Sequence, residues 1–145
     1  MDTAQQALAR ATLYTDGHLY TLVHLPAPAI TAAAGVLAEW GEPFGALIVD
    51  KDEVTLVMPD EGWREFAHRL PDHRVAGPYR LLTFDLPLAL DMVGFLALVS
   101  RVLAEAGVTI LAMSSFERDH LLLPADQFEQ AVAALRTAQT RASET

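Results

Sequence analysis

Two short stretches of this chain carry residue types that could do chemistry. The first is Asp91-Met92-Val93-Gly94, in which an acid stands three residues ahead of a glycine at the start of a helical apolar pattern. Placed as an N-cap, Asp91 would sit beside unpaired backbone amides and a partial positive charge, a natural seat for a carboxylate. Glycine in a first helical turn costs about 1 kcal/mol relative to alanine. Close approach of a ligand or a neighbouring backbone is the usual reason to keep one there. The same residues also read as structure alone, with Asp91 as a cap and Gly94 as a point where the helix packs tightly on a sheet. Spacing by itself weighs toward that plainer role, because a lone D-x-x-G is a weak motif.

The second stretch is Ser114-Ser115-Phe116-Glu117-Arg118-Asp119-His120. It contains the letters of a hydrolytic triad. Residues of one turn rarely converge on a point, however, and no G-x-S-x-G elbow accompanies them, so no catalytic residue is expected. His18 and His24 have the even separation that returns to one face of a strand. No third ligand is evident, and no metal site is expected. His68 and His73 flank a helix end, and Trp40 and Trp63 read as core or interface aromatics. With no cysteine in the chain, disulfides, thiol catalysis and zinc–thiolate sites are excluded.

These residues must be positioned by a folded chain, and the composition supports one. Of the 145 residues 52 % are hydrophobic, enough to build a core, which excludes disorder. Nineteen acids against ten bases give a net charge of −9, and Lys51 is the single lysine. Polyanions bind through clustered Lys and Arg, so neither nucleic acid nor an anionic membrane is an expected partner. The most apolar stretch, Leu81 to Val99, is interrupted by Asp85, Pro87 and Asp91 and reads as core rather than a membrane span. The opening MDTAQQALAR begins with an acid and has no apolar run before Leu19, unlike a secretory signal. The cytoplasm is the expected setting, and no cofactor is expected.

The residue pattern predicts elements in a repeated order. Met1 to Gln6 is polar and expected to be loose, and Leu8 to Tyr14 suits a strand or a short helix. Strands are predicted at His18 to Leu25, Phe44 to Val49 and Val54 to Met58, the last two around the charged turn Asp50-Lys51-Asp52-Glu53. Helices are predicted at Thr31 to Trp40, ended by Gly41 and Pro43, and at Gly62 to Leu70. The order then recurs: strand Tyr79 to Leu86, helix Asp91 to Ala106 stopped by Gly107, strands Val108 to Met113 and His120 to Leu123, helix Asp126 to Leu135. Asp126 and Glu129 have the spacing of a capping box, and the chain from Arg136 on is expected to be frayed.

Strand–helix–strand–strand–helix twice over favours an α+β fold of two ferredoxin-like units, each an antiparallel sheet with helices on one face. The expected boundaries are 16–77 for the first unit and 78–137 for the second, with 138–145 a disordered tail. Each unit wants a fourth strand, and for the second only Leu8 to Tyr14 is left to supply it.

The order and spacing from Leu86 to Leu135 resemble an ACT domain: a strand, Asp91-x-x-Gly94, a helix of about four turns, then Ala106-Gly107-Val108-Thr109-Ile110 and a strand ending in Ser114-Ser115. More narrowly, Ala106 to Pro124 is similar to small bacterial tandem-ACT proteins related to the eukaryotic cytosolic arginine sensors. Over Leu19 to Leu70 the likeness is only in outline. Val93 stands where many ACT domains have Pro, and Thr109 where Asn is common. The first unit has Pro26-Ala27-Pro28 in place of a D-x-x-G.

The resemblance implies a non-catalytic, regulatory amino-acid-binding module. It implies that Leu90, Asp91, Met92, Val93 and Gly94 receive the ligand's carboxylate. Ser114, Ser115, Phe116 and Asp119 would lie on the neighbouring strand and turn, with Asp119 pairing the ligand's ammonium or a basic side chain. It also implies a homodimer or higher homo-oligomer. The alternative is a ligand-free ACT-type module for oligomerisation or protein interaction, motivated by sheet edges that need cover.

Overall fold

The computed structural model describes residues 3–40 and 42–144. The expectations placed on Met1 and Asp2, on Gly41 as a helix stop and on Thr145 lie outside the described residues. The chain divides into two units, Asp16–Tyr79 and Met1–Thr15 with Arg80–Thr145.

The first unit contains β2 (Leu19–Pro26), α2 (Ile30–Trp40), β3 (Ala46–Val49), β4 (Glu53–Pro59), α3 (Asp60–Phe66) and the opening residues of β5 (Arg74–Asp85). Its strands run in the order β3-β4-β2-β5. The β3–β4 and β2–β4 pairs are antiparallel, with Val23 opposite Leu56 and Leu25 opposite Val54. Those four side chains and Met58 are fully buried and pack with Ala33 and Val36 of α2 and Trp63 and Phe66 of α3. His24, between two inward residues, falls on the other face by strand alternation, where its Nε2 lies 3.1 Å from Glu53. His18 precedes the strand and is tied by its backbone N–H to Asp16. The two histidines therefore do not share a strand face as expected. The second helix begins at Asp60 rather than Gly62, directly after Pro59, and a 3-10 turn at Ala67–Arg69 replaces its predicted last turn.

The second unit contains α1 (Ala4–Arg10), β1 (Thr12–Tyr14), the rest of β5, α4 (Phe95–Glu105), β6 (Leu111–Ser114), β7 (Asp119–Pro124) and α5 (Phe128–Ser143). Its order is β1-β5-β7-β6, the same ferredoxin-like arrangement, with β1 antiparallel to β5 and Thr12 opposite Asp85. Leu82 and Phe84 of β5 and Leu121 and Leu123 of β7 face the helices, where they meet Phe95, Val99 and Leu103 of α4 and Phe128, Ala131 and Leu135 of α5. Gly107, at φ 75°, closes α4 as expected. Its N–H reaches the Ala104 carbonyl at 3.0 Å and that of Val108 reaches Leu103 at 2.9 Å, the paired bonds of a Schellman stop.

Four local expectations need correction. Leu8 to Arg10 belong to α1, not to a strand: Thr3 and Gln6 exchange side-chain and backbone hydrogen bonds in a capping box, a T-x-x-Q signal present in the sequence. Asp126 and Glu129 form no such box, because a 3-10 turn at Ala125–Gln127 moves the N-cap of α5 to Gln127, and Glu129 instead lies 3.6 Å from Arg80. Residues 138–143 are not a loose tail but the last turns of α5, packed on α1, with Gln139 donating to the carbonyls of Leu8 (3.0 Å) and Ala11 (2.7 Å). Finally, β5 starts at Arg74, well before Tyr79. Among the described residues, no helix is long and apolar enough to cross a membrane.

Leu8 is 1 % exposed and lies within the core of the second unit. Leu8→Ala should therefore destabilise the protein by about 2–5 kcal/mol, read from the urea midpoint. A change within experimental error would show that the N-terminal segment is not part of that core.

Candidate functional site

The loop between β5 and α4 and the turn between β6 and β7 come together at one end of the second unit. The Leu88 N–H donates to the Glu117 carbonyl at 2.7 Å, which fastens loop to turn. Phe95, the first residue of α4, is 3 % exposed, and its ring meets Phe84 edge-on at 5.1 Å between centroids, which fastens the helix start to β5. Between these supports lies a pocket of about 370 Å³.

Of the residues singled out in the sequence, Leu90, Met92, Gly94, Ser114, Ser115, Phe116 and Asp119 line this pocket. Asp91 and Val93 do not, and Val93 is 89 % exposed. Asp91 is not the N-cap either. That position belongs to Gly94, whose φ of 91° and ψ of 1° start the helix three residues later. The glycine is needed for this left-handed conformation. A Cβ at Gly94 would meet nothing within 4 Å, so neither tight packing nor a close neighbour explains it.

A glycine cap has consequences. No side chain caps α4, and its first intrahelical bond runs from the Leu98 N–H to the Gly94 carbonyl at 2.9 Å. The amides of Phe95, Leu96 and Ala97 thus have no partner within the helix. All three residues line the pocket. They present a small, fixed positive potential to it.

The turn supplies the opposite charge. Asp119 Oδ1 accepts from the Ser114 hydroxyl at 2.6 Å. Arg118 is committed elsewhere: its Nε lies 2.9 Å from Asp85 and its Nη1 3.5 Å from Glu117. Neither the Arg118–Asp85 pair nor the pocket residues Leu88, Ala89, Leu96 and Ala97 were signalled by the sequence. They depend on strand pairing and on where the helix begins.

The triad letters do not assemble. Ser115 Oγ lies 2.8 Å from His120 Nε2, but His120 Nδ1 faces the Thr83 hydroxyl at 2.8 Å rather than a carboxylate. Asp119 is adjacent in sequence but pairs with Ser114, because successive residues of a strand point to opposite faces. The Ser115 hydroxyl also donates to the Arg118 carbonyl at 3.2 Å. Ser115 and Thr83 each carry a hydroxyl that can donate or accept, so both ring nitrogens of a neutral His120 are satisfied. Burial lowers the pKa of His120, Asp119 raises it and Arg118 lowers it, with a net downward shift. Among the described residues, no group of three His, Cys, Asp or Glu side chains is placed to hold a metal ion.

Comparison with known proteins gives the site a context. The ACT domain model matches residues 75–137, from β5 into α5. A crystal structure of a protein from Agrobacterium tumefaciens is 28 % identical over 90 % of each chain, with a TM-score of 0.70. A Vibrio cholerae protein of unknown function, described as a possible transport protein, is 20 % identical, covering 91 % of this chain and 93 % of that one, with a TM-score of 0.68. The regulatory subunit of aspartate kinase from Thermus flavus is 16 % identical, covering 88 % and 97 %, with a TM-score of 0.70. The last two speak for the fold alone. No curated protein matches the chain in sequence.

Two outcomes follow from this geometry. Gly94→Ala should cost about 1–2 kcal/mol, all of it backbone strain, since the space for a methyl is open. An unchanged urea midpoint would mean that the chain leaves the left-handed conformation easily. For His120, a lowered folded-state pKa means that the unfolded chain binds more protons below the ordinary value of 6.5. Its contribution is complete above about pH 6.5 and is lost as the pH falls through that value toward the lowered one. His120→Gln should flatten the stability profile on the acid side of about pH 6.5, and identical profiles would rule His120 out as the group responsible.

Proposed function

Because residues 75–137 are an ACT domain, we propose that this protein is a non-catalytic regulatory module that senses a free amino acid at the pocket beside α4. The observation that carries this reading is the joint placement of an uncapped helix start and the Asp119 carboxylate on one pocket. An α-amino acid has one group for each. Its carboxylate would accept from the amides of Phe95, Leu96 and Ala97, as anions do at helix N-termini. Its ammonium would donate to Asp119, a charge-assisted bond roughly twice as strong as a neutral one. Ser114 holds Asp119 in place through their 2.6 Å hydrogen bond. Binding of this kind requires no bond making, and the Ser115–His120 contact, which ends on Thr83 rather than an acid, is consistent with that.

A second reading has its own support. β3 lies at one end of the strand order, and its Ile48 and Val49 are each 49 % exposed. An apolar edge strand is a template for pairing with another chain. The protein would then be an assembly module, and self-association into a homodimer or higher homo-oligomer is proposed under either reading, with the cytoplasm as its setting.

The discriminating experiment is a thermal-shift screen against the common amino acids at millimolar concentration. A ligand at one hundred times its Kd adds about 2.7 kcal/mol, which is roughly several degrees in melting temperature. The sensor predicts stabilisation by at least one amino acid that disappears in Asp119→Ala. Silence from every amino acid, combined with a dimer in sedimentation, would favour the assembly module.

A further inference from the structure

We propose that the pocket between the α4 start and the β6–β7 turn selects an amino acid whose side chain is uncharged and apolar, of about leucine to phenylalanine size. The inference rests on the amino-acid reading above and adds the class of ligand.

It follows from matching each charge in the pocket to a partner. The ligand's carboxylate takes the α4 amides and its ammonium takes Asp119. The Arg118 guanidinium is divided between Asp85, at 2.9 Å, and Glu117, at 3.5 Å. Those two acids are in turn occupied by it. A ligand side chain ending in a carboxylate would therefore find no uncommitted cation among the pocket residues. One ending in an ammonium or guanidinium would have to take an acid from Arg118. A charged side chain brought to such a wall loses water without gaining a counter-charge.

Beside the hydroxyls of Ser114 and Ser115, the uncharged part of the lining is largely apolar. Leu88, Leu90, Met92, Leu96 and Phe116 all border the same pocket. Leu90 is 76 % exposed, Phe116 77 % and Leu96 40 %, three of the five large apolar side chains exposed among the described residues of the second unit; the other two, Val93 and Tyr14, lie outside the pocket. Scattered exposed apolar residues are ordinary, but several around one cavity mark a surface that binds something apolar. At about 370 Å³ the pocket is at the small end of the range for small-molecule sites, which suits a free amino acid with a medium-sized side chain.

The test is isothermal titration of the full chain with alanine, leucine, phenylalanine, lysine and glutamate. Burial of each methylene should tighten binding about fourfold, so leucine should bind tens of times more tightly than alanine. Lysine and glutamate should bind more weakly than leucine. Phe116→Ser, at an exposed position that leaves the core untouched, should weaken leucine about tenfold and leave alanine within about twofold. Tighter binding of lysine or glutamate than of leucine, or equal binding of alanine and leucine, would overturn the side-chain class while leaving the carboxylate and ammonium seats standing. Binding of none of the five would overturn this inference, whereas only silence across the full amino-acid screen would overturn the reading it rests on.

Discussion

The contact between Phe84 and Phe95 holds one end of α4 against β5, and the rest of the candidate site depends on it. The rings meet edge-on at 5.1 Å and both are buried. Such a pair is worth about 0.5–1.5 kcal/mol beyond the area it covers. Because Phe95 is the first helical residue, the anchor acts at the terminus and not further along. The helix must then start within one residue of that point, and Gly94 makes this possible by turning the backbone at φ 91°. A residue with a capping side chain, such as Asp or Ser, would have satisfied the amides that now border the pocket. The glycine leaves them open.

The second determinant is the alternation of β7. Asp119 and Leu121 lie toward the helices, and His120 and Leu122 lie on the opposite face. One strand thus separates two sets of chemistry that are contiguous in sequence. The acid goes to the pocket with Ser114, while the imidazole goes to Thr83 and Ser115. Ser115 touches both sets, since it borders the pocket and bonds His120. The protonation state of a buried histidine is therefore one hydrogen bond away from the turn that carries Asp119.

Particular elements show why some of this was legible in the residues and some was not. The apolar stripe of α4 and its glycine stop could be read directly, because helix periodicity and the left-handed cap are local properties. The same is true of the β3–β4 hairpin, whose charged turn separates two apolar runs. The start of α4 departs from the local pattern for an equally local reason: Asp91 has the spacing and chemistry of a cap, but a left-handed glycine competes for that role and prevails. Phe84 lies in a strand whose packing on Phe95 decides the outcome, and no local pattern reports that. Residues 138–143 are polar enough to resemble a frayed end. They are held as helix by contacts with α1 and by Gln139, whose bonds reach across more than one hundred residues of sequence.

The kinds of elements, their repeated order and the absence of thiol chemistry are legible in the residues alone. These follow from residue type and short-range spacing, which act over one or two turns of chain. Which atoms of residues 91–119 face one another is set by strand register and helix packing. The tertiary structure moved the cap from Asp91 to Gly94, separated Asp119 from His120, committed Arg118 to Asp85 and placed Leu90, Leu96 and Phe116 around one pocket. Each of those depends on strand register or helix packing between residues far apart in the chain. Such contacts are selected by burial of the whole unit and have no local signature.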